Sequence, residues 1–356
     1  MFTEKYKAAL AEYEKFWERK NTKRPILNVS YQRPGTVPYR APETLKEKWL
    51  GAEYKYNAFK HNSSIMEYAA EGVPMSFTNY GPGCLTACIG GGFSLQPNTI
   101  WFDTEQLITD WETPPEIAFD EQSELWQHLV QEQMLYAADP DVHFSITDIG
   151  GIMDVVAALR GTQDLLYDLY DYPDEVKEFA QKVKVEWNRA FAKQLEIVRN
   201  AGQPYNNWMN IPSSKPWYPI QCDFCYMISP NQFSEFVLPD IVDQVNSMER
   251  SIYHLDGVGE LPHLDMILDI PNLTGIQWVS GAGDEPERDE KWFEIYRKIQ
   301  DKKKNLVLMY SINEHDMEGT ERLIKSIDPA GVYLSFGCSC KEKAEEMIEK
   351  ITRWSE

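Results

Sequence analysis

Short apolar runs rich in β-branched and aromatic residues alternate with helical patterns along most of the chain. The runs predict strands at 26–31, 75–79, 143–148, 206–210, 251–255, 275–279, 306–310 and 332–336. Between them, 3.6-residue periodicity predicts helices at 42–49, 56–71, 121–138, 155–159, 174–200, 230–248, 292–298 and 341–354. The first 20 residues read as an amphipathic helix, 90–116 as an aromatic loop, and 222–227 as a ninth short strand or a loop. Strands alternating with crossover helices point to a parallel sheet, and eight of them to a (β/α)8 TIM barrel with an N-terminal helical extension. The 356 residues fit one such domain, with helix 1–22 packed on it. A barrel gathers functional side chains at the C-terminal ends of its strands.

Composition narrows the function classes. The net charge of −21 repels phosphate backbones and anionic lipid, so neither nucleic acid nor a membrane surface is an expected partner. The basic run 298–304 has acidic flanks and reads as a solvated helix end. With neither a secretory leader pattern nor a membrane-spanning apolar run, a cytoplasmic location is expected. Neither a Walker A motif nor a GxGxxG fingerprint occurs, which leaves nucleotide binding without support.

The strand ends carry the candidate chemistry. His254-Leu255-Asp256-Gly257 follows a strand, and alternation puts His254 and Asp256 on one side. Such a pair binds a divalent metal, works as an acid/base pair, or is a turn histidine bonded to its neighbour. Cys338 and Cys340 lie between the last strand and a helix, where a helix N-terminus favours thiolate. Each is a candidate metal ligand beside His254 and Asp256, or a small packing residue. Asp148, before Gly150-Gly151, and Asp223, in a loop, are candidate acid/base or orienting groups. Cys222 and Cys225 have CxxC spacing and Cys84 and Cys88 helical spacing; burial is the simpler reading of both pairs. Asn79, Tyr80, Trp101, Trp208, Trp278 and Tyr310 are candidate substrate contacts at the same face, among eleven tryptophans in the chain.

Three segments resemble the uroporphyrinogen decarboxylase superfamily, and its corrinoid-dependent methyltransferases more than its decarboxylases. They are Leu159-Arg160-Gly161-Thr162 with 165–170 and Pro173, Gln221-Cys222-Asp223 through Pro230 and Pro239, and His254-Leu255-Asp256-Gly257 with 334–338. The resemblance implies a TIM-barrel methyltransferase acting on a small methylated substrate or thiol. It also implies zinc, and a corrinoid carried on a separate partner protein. His254 matches the family's zinc histidine and Cys338 its distant cysteine. Asp256 stands where a second cysteine is usual, so Asp256 or Cys340 would complete the set. The arginine-rich N-terminal motif of the decarboxylases is absent, with Arg33 and Arg40 the nearest basic residues. Decarboxylation, drawing on Arg33, Arg40 or Arg160, is the alternative, and a non-catalytic ligand-binding barrel the third reading. A homodimer is compatible with all three.

Overall fold

The computed structural model describes residues 3–102 and 106–356. Its centre is a seven-stranded sheet of β1 (Ile26–Gln32), β2 (Met66–Ala70), β5 (Trp217–Ile220), β6 (Arg250–Asp256), β7 (Gly275–Val279), β8 (Asn305–Met309) and β9 (Val332–Cys338). The spatial order is β2-β1-β9-β8-β7-β6-β5. Every pairing is parallel except β1 with β2. A two-stranded hairpin, β3 (Ser94–Leu95) and β4 (Ile100–Trp101), lies in the aromatic loop.

The parallel strands β6 to β9 fall where apolar runs predict them. Buried on both faces, they carry no alternation to misread, as in the fully buried Asn305-Leu306-Val307-Leu308 of β8. Four expectations are corrected. The predicted helix 56–71 ends at Ile65, and Met66–Ala70 pairs antiparallel with β1 instead. Met, Glu and Ala favour helix locally, but the free edge of β1 outweighs that preference. The stretches 75–79 and 143–148 are joined to each other by one parallel bridge, Ser76 to Phe144, rather than forming regular strands. Residues 206–210 form a turn in which Asn206 and Asn207 accept backbone N–H groups at 2.9 and 3.1 Å, and the strand comes later, at β5. Finally, Asp223–Met227 is a 3-10 helix.

The helix Glu4–Trp17 is capped by Thr3 and lays Tyr13, Phe16 and Trp17 against Ile26, Trp217, Ile252, Val307 and Tyr333. Ile26, Trp217, Ile252 and Tyr333 lie within the first three residues of their strands, and Val307 at the middle of β8. An ion pair of 2.6 Å between Arg250 and Glu14 fastens this helix to the start of β6. The N-terminal end of the sheet is thus covered, and the C-terminal end carries the polar groups described next.

Candidate active site

Strand β6 presents His254 and Asp256 on one side, as alternation requires, with His254 Nε2 3.8 Å from Asp256 Oδ2. On the neighbouring strand Gln277 sits opposite His254, and its Oε1 lies 2.6 Å from His254 Nδ1. The Gln277 amide nitrogen faces Met309 Sδ at 3.6 Å, so the carbonyl oxygen accepts from the imidazole N–H. This leaves the Nε2 lone pair free for a ligand. Trp208 packs edge-on against the imidazole, ring centres 5.0 Å apart. Asp223, at the start of the 3-10 helix after β5, completes the group: ligand atoms of Asp223, His254 and Asp256 all lie within 4.8 Å of one another.

Asp148 lies beside this group and is buried. It accepts from Gly150 N–H at 2.8 Å, the Tyr218 hydroxyl at 3.0 Å and the Gln221 amide at 3.3 Å. Burial pushes its carboxyl above the ordinary range, while these donors and His254 pull against that rise. Asp223 keeps an exposed edge yet sits in a recess crowded by protein. Desolvation there raises its carboxyl, with Asp256 and Asp148 adding to the rise and His254 opposing it.

The residue missed by the sequence reading is Asp154. It stands in the first turn of the helix Ile152–Arg160, where Oδ1 accepts from Phe224 N–H at 2.8 Å. Its Oδ2 is buried and has no hydrogen-bond partner among the described residues. Burial first, then the charge of Asp223, raises this carboxyl to about 7. Gly151 makes the arrangement possible: a Cβ there would lie 2.3 Å from both Asp154 Oδ2 and the Gln221 carbonyl oxygen.

Asp154 and Asp223 line a cavity of about 250 Å³. Its walls are mainly apolar, with Ile100, Trp101, Phe102, Val155, Phe224 and Met227 prominent, and Gln221, Thr86 and Thr162 add polar groups. The floor is a backbone contact. Gly150, at φ +84°, approaches Gly83 so closely that a Cβ would lie 2.6 Å from the Gly83 Cα.

The other expected residues disperse. Trp101 stands at the cavity rim, 54% exposed. Tyr80 and Trp278 are fully buried, the first under Lys55 and the second against Trp292, so neither lines the cavity. Asn79 closes a turn by accepting from Gly81 N–H at 3.0 Å. Tyr310 is 74% exposed, outside the cavity lining. Cys338 and Cys340 are not in the His254 group: through the register His254–Gln277–Val307–Tyr333, alternation puts Cys338 on the opposite face of the sheet, packed on the main core. Burial, Glu314 and Cys340 push the Cys338 thiol up to about 11, opposite to the expected thiolate. The donors brought together are one imidazole and two carboxylates, a set that suits a harder divalent cation than a thiolate set does.

Arg33, Arg40 and Arg160 are engaged elsewhere, paired with Glu67, Glu47 and Asp168, and none lines the cavity. The cysteines Cys84, Cys88, Cys222 and Cys225 are buried. Cys225 contacts the Tyr253 hydroxyl at 3.5 Å, and that hydroxyl donates to Glu260 at 3.0 Å.

No protein-family model matches this chain, and no curated protein matches its sequence. Among solved structures, a methyltransferase from Methanosarcina mazei is similar, with a TM-score of 0.60 at 12% identity. The match covers 96% of this chain and 99% of that one. At this identity the likeness is one of fold: the chain shares an α/β architecture with that methyltransferase over nearly its whole length.

Proposed function

We propose that this chain is a methyltransferase whose reaction centre is the Asp223, His254 and Asp256 group. The observation that carries the reading is the double position of Asp223, which lines the cavity and belongs to the ligand group. A small substrate in the cavity would present its reacting end to His254 and Asp256. The shared fold supports methyl transfer, as does the position of the group at the C-terminal ends of parallel strands. We read the sheet as closing into a (β/α)8 barrel through 75–79 and 143–148.

His254, Asp223 and Asp256 would hold a divalent cation, zinc or a harder metal, which would polarise the methyl donor or acceptor. The remaining residues act through position. Gln277 fixes the imidazole so that Nε2 faces Asp256. Tyr218 and Gln221 hold Asp148 beneath the group. The apolar walls exclude water around the substrate, and the acceptor we propose is a reduced corrinoid carried on a separate protein.

Incubation with cob(I)alamin and a panel of methylated compounds tests this. Methylcobalamin formation, followed by absorbance, is expected for at least one compound and is expected to be lost in Asp256→Ala. Absence of turnover with methylated amines, ethers and thiols alike, in metal-supplemented protein, would overturn the proposal.

Decarboxylation is disfavoured by a specific observation. Among the described residues no guanidinium lines the cavity, whose charged lining groups are carboxylates.

A further inference from the structure

The cavity has an unusual balance of charge and surface. Among the described residues its charged lining groups are Asp154 and Asp223, and no lysine or arginine accompanies them. Trp101, Phe102 and Phe224 supply aromatic surface. Asp154 Oδ2 is buried without a hydrogen-bond partner among the described residues.

We infer that this cavity takes a small methylated ammonium cation, held between the aromatic side chains and the carboxylates of Asp154 and Asp223. The inference names the methyl donor of the reaction proposed above and rests on that reading for its catalytic meaning. There the Co(I) corrinoid's electron pair forms the Co–C bond, the C–N bond breaks, and the amine leaves neutral with that bond's electron pair. Binding itself does not depend on that reaction.

Three arguments lead here. An anionic ligand would meet two carboxylates and, among the described residues, no lysine or arginine. A neutral ligand would supply no counter-charge to the buried Asp154 carboxylate, which is costly to hold ionised alone. A quaternary ammonium ion has no N–H to donate, so it is recognised by aromatic faces and nearby negative charge, which is what this lining offers. Size agrees as well. At about 250 Å³ the cavity lies below the roughly 300–1,000 Å³ of pockets for drug-sized ligands.

A metal at the His254 group does not reverse the sign of the site. Asp223 belongs to that group and also lines the cavity, whereas Asp154 lines the cavity outside it. A divalent cation held by the carboxylates of Asp223 and Asp256 would be offset by those two ligands, which leaves Asp154 as the acidic group facing a cavity ligand.

The test is calorimetric titration of the full chain at low ionic strength with three probes of similar shape: tetramethylammonium, tert-butanol and pivalate. Tetramethylammonium is expected to bind at least tenfold more tightly than tert-butanol, and pivalate not detectably. Asp154→Asn is expected to weaken tetramethylammonium at least tenfold while leaving tert-butanol within twofold. Trp101→Ala, at the exposed rim, is a second variant that keeps the test valid if Asp154→Asn fails to fold, and it is expected to weaken the cation several-fold. Equal or tighter binding of tert-butanol or pivalate would overturn the inference, as would tetramethylammonium affinity unchanged in every variant that folds. Cation-selective binding without methyl transfer to any acceptor would sink the proposed reaction and leave the inference standing. Methyl transfer without cation selectivity would do the reverse.

Discussion

His254 and Gln277 face each other across adjacent parallel strands, the imidazole donating from Nδ1 to the amide oxygen at 2.6 Å. This bond fixes both the tautomer and the ring plane of the one histidine in the ligand group. Removing such a partner commonly lowers metal affinity roughly 10- to 100-fold. Gln277→Leu is therefore expected to weaken metal binding by that order, read by competition with a chromogenic chelator. Unchanged affinity would show that the imidazole is positioned by other contacts.

A second expectation concerns pH. Glu260 is buried, and burial raises its carboxyl well above the ordinary range, with Cys225, Asp223 and Asp154 adding to the rise and the Tyr253 hydroxyl opposing it. The folded chain then keeps a proton that the unfolded chain releases above a pH of about 4.3. Stability contributed by this group is full below that value and is lost as pH rises toward the folded-state value, at up to about 1.4 kcal/mol per pH unit. Urea unfolding at successive pH values from 5 to 8 should show wild type losing stability faster than Glu260→Gln. Parallel curves would remove Glu260 from the account.

Arg160 separates the methyl-transfer and decarboxylase readings. Its guanidinium pairs with Asp168 at 2.6 Å and donates to the Ile108 and Thr109 carbonyls, each at 3.1 Å. Breaking a largely buried pair by removing one partner costs about 3–5 kcal/mol. Arg160→Ala is expected to lower stability by about 3 kcal/mol and to leave ligand affinity in the cavity unchanged. A specific loss of ligand binding at full stability would place Arg160 in the substrate site and revive decarboxylation.

The site was partly legible in the sequence, for physical reasons that differ by residue. His254 and Asp256 were readable because strand alternation alone puts them together, whatever the rest of the chain does. Their neighbour Asp223 was visible as a polar loop residue, but its approach to them depends on the 3-10 helix after β5. Asp154 was hidden inside an apolar helical pattern, where an acid in the first turn reads as ordinary dipole complementation. The signal that could have exposed it is Gly150-Gly151, since one backbone packs on Gly83 and the other leaves room for the carboxylate. Which face Cys338 takes relative to His254 follows from the inter-strand register, which local pattern does not carry. The β2 strand failed for a related reason, its helix-forming residues being overruled by the edge of β1.

The central claim is that Asp223, His254 and Asp256 form one metal-binding reaction centre. Metal analysis of tag-free protein, wild type beside His254→Ala, tests it most directly. The expected result is close to one divalent metal per chain in wild type, with the metal and methyl transfer lost together in the variant. Wild-type protein that holds no stoichiometric metal after supplementation, or a variant that keeps its metal, would contradict the claim.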